Sequence, residues 1–192
     1  QPLRNWIQET LERYVFYKDR YDYRRTLLEF ARELGTETNL DHMLATVAER
    51  LRHTLSIKNV AFFLANDQGE YQLTKYVGED SQLAPLERLD LSFLTPNPEG
   101  PIFFERTRTS IDMLAGNLSD SVRSTVARLD LSYYIPCQVR GRTIGYLGAS
   151  RTFDDSFLSS EDVELVTTLS GYVGIAVDNA LLYNSLQRKV TE

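Results

Sequence analysis

Cysteine, histidine, methionine and tryptophan are all scarce in this chain of 192 residues, which holds one Cys, two His, two Met and one Trp. The lone Cys137 leaves no intramolecular disulfide and suits a reducing compartment. His42 and His53 fall on one predicted helix, roughly 16 Å apart along its axis at ~1.5 Å per residue, so they cannot clamp one metal ion together. Excess positive charge is missing too. Lys and Arg number 21 against 27 Asp and Glu, a formal net charge of −6, and no basic patch marks a nucleic-acid surface. No apolar run approaches the ~18–20 residues of a membrane span, and nothing reads as a signal peptide. Gly-x-Ser-x-Gly, Gly-x4-Gly-Lys-Ser/Thr and His-Glu-x-x-His are absent, and with them the nucleophile, phosphate-cradling and zinc-hydrolase patterns they carry. These absences point to a cytoplasmic chain with no catalytic or metal site, in contact with neither nucleic acid nor membrane. The sequence names no cofactor.

What is present is ordinary globular composition, 42% hydrophobic and 25% charged, in a length that fills one ample domain burying roughly 70% of its unfolded surface. Residues 3 to 34 read as helix, with an interruption near Tyr21-Asp22-Tyr23. Ile7, Leu11, Tyr14, Tyr21 and Leu28 follow a 4-3 spacing, with Lys18 and Arg25 in the intervening slots, as in a helix packed along another helix. Gly35 stops it. Thr38 and Asp41 stand in capping-box positions ahead of a second helix, whose apolar face runs from Leu40 to Leu55. Asn59 to Ala65 reads as a buried strand, turned by Asn66-Asp67-Gln68-Gly69 into a second strand at Tyr71 to Val77.

Between Gly78 and Leu131 the signals weaken. Leu89 to Phe93 alternates like a strand, Ile102 to Thr107 reads as a short helix, and Ser110 to Met113 as an edge strand. Leu118 to Leu129 reads as a helix with Val122, Val126 and Leu129 inward. So long and irregular a connection is often a lid or a binding loop. Ser159 caps a last helix running from about Ser160 to Val190. Both ends of the chain fall inside helical patterns and no initiator Met is present, so the chain is expected to be a piece of a longer protein.

The stretch from Ser132 to Ser150 organises the rest. It reads as two strands joined by a tight turn, with either Arg140-Gly141 or Gly141-Arg142 in the loop. Both turns give the same faces by period-2 alternation. One face carries Tyr133, Ile135, Cys137, Val139, Ile144, Tyr146 and Gly148, and the other Tyr134, Pro136, Gln138, Thr143, Gly145, Leu147 and Ala149. Small residues at 145 and 149 suit a close approach of helices, so the second face is expected to meet the helices and the first to line a cavity. Phe62 is expected as a neighbour on the cavity side, since Ala61 and Ala65 fit the helix side better, and Phe104 is expected to reach down from the middle segment. The candidate ligand-binding set is therefore Phe62, Phe104, Tyr133, Ile135 and Tyr146. An ordinary filled core is the alternative reading of the same residues.

Leu27-Leu-Glu-Phe-Ala-Arg-Glu-Leu34 with Leu40-Asp-His-Met-Leu44, the hairpin from Ile135-Pro136 to Leu147, and Leu158-Ser-Ser-Glu-Asp-Val-Glu-Leu165 stand in an order and spacing that resemble a GAF domain over roughly residues 24 to 184. The resemblance implies an α+β fold, an antiparallel sheet with helices on one side and a small-molecule pocket on the other, flanked by long terminal helices. It implies three parts: residues 1–23 as a signalling helix, 24–178 as the sensory domain and 179–192 as a helical extension. It further implies a non-catalytic sensory module that relays ligand state to a histidine kinase output. A ligand-sensing domain of a transcriptional activator and a stand-alone enzyme on the same fold are the alternatives. Family members that bind cyclic nucleotides share an Asn-Lys…Phe-x3-Asp-Glu pattern. Here Ser150-Arg151 and Phe157-x3-Glu161-Asp162 depart from it, and Ser159 with Asp162 reads as a helix cap instead. Members that hold a bilin do so through Cys, whereas Cys137 falls inside a strand and reads as a buried hydrophobe.

Leu165, Leu169, Tyr172, Ala176, Asn179, Tyr183, Leu186 and Val190 follow an unbroken 4-3 spacing. They are read as the seam of a parallel homodimer formed through the terminal helices, with Asn179 fixing the register.

Overall fold

The computed structural model describes residues 2–79, 88–94, 100–103 and 118–191, and in the first helix the side chains of residues 3–11, 22 and 24 onward. Its elements are α1 (Pro2–Glu33), α2 (Leu40–Leu55), β1 (Val60–Ala65), β2 (Tyr71–Val77), β3 (Ile102–Phe103), α3 (Asp120–Leu129), β4 (Tyr133–Val139), β5 (Arg142–Ala149) and α4 (Ser160–Val190), with 3-10 turns at Leu34–Thr36 and Ser92–Leu94. The strands form an antiparallel sheet in the order β2-β1-β5-β4-β3. α1, α2 and α4 pack on one face, burying Leu27, Ala31, Leu44, Val47, Leu51, Val166, Leu169 and Val173 against β1, β4 and β5. α3 and residues 88–94 pack on the other.

Local chemistry sets most boundaries. α2 is capped by Asn39, whose side chain accepts from His42 N at 3.1 Å, not by the Thr38-Asp41 box. α4 opens as expected on Ser159, whose hydroxyl accepts from Asp162 N at 3.1 Å. α1 runs unbroken through Tyr21-Asp22-Tyr23. Leu89 to Phe93 forms no strand; its alternating leucines pack inward from an irregular segment ending in the 3-10 turn. Ile102-Phe103 pairs with β4 as a strand in place of the expected helix. Ser110 to Met113 lies outside the described residues.

One expectation about apolar length is corrected. α4 alone among the described helices is long and apolar enough by length and composition to cross a membrane, but half of that window is buried inside the protein. Its buried apolar residues are explained by the sheet it covers.

Candidate functional site

Two β-bulges decide what the sheet presents to each side. The β4–β5 hairpin turns through Arg140 and Gly141, both at positive φ (52° and 74°), with Val139 opposite Arg142. The pairing then slips: Gln138 faces Thr143 while Cys137 faces Gly145, leaving Ile144 as an extra residue. From there on, directly opposed residues are Cys137 and Gly145, Ile135 and Leu147, Tyr133 and Ala149. A slip of one residue moves a whole set of side chains to the other face. A matching slip between β1 and β2, where Phe62 faces Lys75 but Phe63 faces Leu73, leaves Thr74 extra.

The expected cavity set is therefore divided between the two faces. Tyr133, Ile135 and Phe62 belong to the helix-side core, together with Leu147 and Ala149. The Tyr133 hydroxyl, fully buried, accepts from Leu158 N at 2.8 Å and so anchors the loop that leads into α4. Its ring stands edge-on to Phe103 at 5.7 Å. Tyr146 lies on the face away from α1, α2 and α4, as expected, and so does Ala61, which was expected among the helices. Phe104 lies outside the described residues.

The rings that join Tyr146 on the face opposite α1, α2 and α4 are ones the sequence reading did not place there. Phe63 and Tyr134 pack at 5.7 Å, Phe93 meets Tyr134 edge-on at 5.2 Å, and Tyr71 meets Tyr146 edge-on at 5.2 Å. Such edge contacts set a ring's positive rim against a neighbour's electron-rich face. The Tyr76 hydroxyl donates to Leu129 O at 3.0 Å, tying β2 to the end of α3. Burial pushes the Tyr71 and Tyr146 hydroxyls above their ordinary range, so both stay neutral donors at physiological pH.

α3 lies over these rings through Val122, Val126 and Leu129. Asp90 N donates to the Thr125 hydroxyl at 2.9 Å, Ser92 N donates to the Asp90 carboxylate at 3.1 Å, and the Ser119 hydroxyl donates to it at 3.5 Å. These bonds fasten residues 88–94 to α3, and those at the Asp90 carboxylate, Ser92's foremost, hold its pKa below the usual range. Beside this clamp a cleft of about 560 Å³ opens between Gly69, Glu70, Tyr71 and Gln72 on one side and Leu89, Leu91 and Ser92 on the other. Tyr71, backed edge-on by buried Tyr146, is one of its walls.

Other features carry less. Cys137 is buried on the helix side, and burial pushes its thiol up to about 12, so it is no nucleophile. Among the described residues no group of three His, Cys, Asp and Glu side chains is placed to hold a metal ion. Glu161 and Asp162 are both bound by Arg24 of α1, Glu161 at 3.1 Å. In the expected dimer seam, Leu165, Leu169 and Ala176 are buried in the chain's own core and Tyr172 is half-buried beneath Arg32. Those four are consumed by the chain's own fold, because 4-3 spacing also describes a helix face laid on a sheet. Asn179, Tyr183, Leu186 and Val190 are exposed.

A sheet covered by α1, α2 and α4 on one side, and on its aromatic side by α3 with an open cleft beside it, has the architecture of a small-molecule-binding domain. The chain belongs to the GAF domain family, whose model matches residues 39–177; GAF domains are sensory, generally non-catalytic modules of signalling proteins. Solved structures agree in fold. The GAF domain of a putative sensor histidine kinase from Pseudomonas syringae pv. tomato is 17% identical with a TM-score of 0.61, covering 92% of this chain and 98% of its own. That of a phosphoenolpyruvate-protein phosphotransferase from Coxiella burnetii is 20% identical with a TM-score of 0.63, covering 86% and 96%. A phycoerythrobilin-bound GAF domain from a cyanobacterial phytochrome is 11% identical with a TM-score of 0.56, covering 86% and 97%. No curated protein matches the chain.

Proposed function

We propose that this chain is the sensory part of a cytoplasmic signalling protein: it binds a small molecule on the aromatic face and passes the bound state through its terminal helices, as a homodimer, to a histidine kinase output. The observation that carries the binding site is the cleft between Tyr71 and Leu91, walled by the half-buried Tyr71 ring and the leucines of residues 88–94. Ligand contact there bears on Asp90 and Ser92, and through Thr125 on α3. The kinase output is favoured by the likeness to the Pseudomonas syringae domain.

Burial supports the three-part division into 1–23, 24–178 and 179–192. Leu27 is the first fully buried side chain described in α1, Ala180 the last in α4, and residues 181–190 are all exposed. Native mass spectrometry of the purified chain, compared with Leu91→Trp, tests the site. A retained small-molecule mass that disappears when the cleft is filled, with the thermal melt unchanged, is expected. A retained molecule indifferent to Leu91→Trp overturns the placement.

A further inference from the structure

We infer that the cleft between Tyr71 and Leu91 takes an organic cation, an ammonium group carried on an apolar body. This rests on the reading of that cleft as the binding site and names the charge of its ligand. At about 560 Å³ the cleft falls within the usual size of a small-molecule site, roughly 300–1,000 Å³. Leu89 and Leu91, both half-buried, give one wall an apolar surface. The half-buried Tyr71 ring and Glu70 stand in the other.

The charge at this cleft is of one sign. Glu70 is the only charged residue in its described lining. Asn66 fixes the Glu70 backbone from both sides: Glu70 N donates to Asn66 Oδ1 at 2.9 Å, and Asn66 N donates to Glu70 O at 2.8 Å. The exposed Glu70 carboxylate accepts one long bond, from Asn66 Nδ2 at 3.5 Å. A second carboxylate, that of Asp90, belongs to the same wall segment as Leu89 and Leu91 and is held by Ser92 N and the Ser119 hydroxyl. Among the described residues neither carboxylate meets a Lys or Arg, whereas Asp41, Asp155, Glu161 and Asp162 elsewhere on the domain each do. Arg88 and Arg123 are exposed, and neither lines the cleft.

These features select among ligands by charge. A phosphate or carboxylate in the cleft finds Glu70 already there and no guanidinium or ammonium group in the described lining to neutralise it, which is discrimination by repulsion. A neutral apolar molecule satisfies the leucines but leaves the Glu70 carboxylate unused. An ammonium group on an apolar body uses every wall. Its charge meets Glu70, its hydrocarbon part lies on Leu89 and Leu91, and the Tyr71 ring draws the cation to its electron-rich face. The Tyr71 hydroxyl is turned to Thr143 O at 3.5 Å, so this residue offers its ring. The net charge of −6 adds a long-range attraction for cations over the whole chain.

A charge series on one skeleton tests this with the full chain. Phenethylammonium, phenethyl alcohol and phenylacetate are each titrated against the isotope-labelled protein and followed by its backbone amide signals. The ammonium should bind tightest and the acetate weakest, with shifts at residues 69–72 and 89–92. Glu70→Gln, at an exposed position outside the core, should weaken ammonium binding about two- to fivefold, the range of an exposed ion pair, and leave alcohol binding unchanged. If the alcohol or the acetate binds at those residues as tightly as the ammonium, or if Glu70→Gln leaves the ammonium affinity unaltered, the cleft stands as the site and the charge of its ligand is overturned. If none of the three shifts those residues at high millimolar concentration, or if Leu91→Trp leaves their binding unaltered, the reading of the cleft as the binding site fails, and the inference with it.

Discussion

Gly145→Ala offers a direct test of how closely the strands approach. Gly145 sits opposite Cys137 on β4 and Leu64 on β1, one residue past the bulge. A Cβ built there lies 2.5 Å from Phe63 O and 2.8 Å from Leu64 Cδ2. The leucine methyl can rotate away, but a backbone carbonyl held in the ladder cannot, so β1 and β5 must part locally. Overpacking of this kind costs about 1–3 kcal/mol. In a chain of this length about 2 kcal/mol corresponds to a fall of ~4–8 °C in Tm. Two controls bracket the effect. At Gly148 the nearest obstacles are Leu131 Cδ1 at 2.6 Å and Phe63 Cε2 at 3.2 Å, the ends of side chains, so Gly148→Ala should cost less. At Gly171, inside α4, nothing lies within 4 Å, and Gly171→Ala should stabilise by about 0.5–1 kcal/mol through helix propensity. Differential scanning calorimetry on the three variants should rank them Gly145, Gly148, Gly171 from most to least harmful. If Gly145→Ala melts within a degree of the parent, the strands do not approach as described and the bulge register fails with them.

Three further outcomes are expected. Native Cys137 should resist thiol reagents for as long as the fold holds and label at once in denaturant, because its thiol is buried and pushed up to about 12; fast stoichiometric labelling of the native chain contradicts its place in the core. Asn39→Ala should cost about 1 kcal/mol by removing the cap of α2, while Thr38→Ala should leave the melt nearly unchanged; the reverse order would return the cap to Thr38. Asp90 is stabilised as a carboxylate, so its contribution is complete above its unfolded pKa near 3.8 and is lost as pH falls through its lower folded value; Asp90→Asn should flatten that part of the acid limb in a stability–pH series, and an unaltered limb refutes the clamp.

Much of the fold was legible because its cues are local. Gly141 between two alternating runs signals a hairpin, Ser159 signals a helix start, and the 3.6-residue periodicity from Leu40 to Leu55 signals an amphipathic helix. The face assignments were not legible. Ile144 and Thr74 are bulge residues whose composition gives no sign of it, and each reverses the parity of everything beyond it. β1 could not correct the error, since Val60 to Leu64 are all buried and both faces look alike. Tyr71 was a usable signal: β2 is an edge strand with exposed Gln72 and Thr74, so its aromatic residues had to face a cover. The seam reading shows the same ambiguity in helical form, because Leu165, Leu169 and Ala176 keep the spacing of a coiled coil while packing on their own sheet.

α1 and α4 lie side by side from Arg24–Glu161 to Arg32–Tyr172; α4 then stays packed on the domain as far as Ala180, with Asn179 beside Gly35, before residues 181–190 run on exposed, while residues 3–11 of α1 are exposed at the other end. In mechanical terms this is a lap joint. A push, pull or twist delivered to one rod reaches the other through what crosses the lap, Arg24 on Glu161 and Asp162, Leu28 beside Leu165 and Arg32 over Tyr172, and through the core that Leu27 and Ala31 share with Val166 and Leu169. Sliding the rods by one residue, ~1.5 Å, would draw those guanidinium groups away from their partners. The joint therefore resists shear, and a displacement of one rod along its axis is carried to the other.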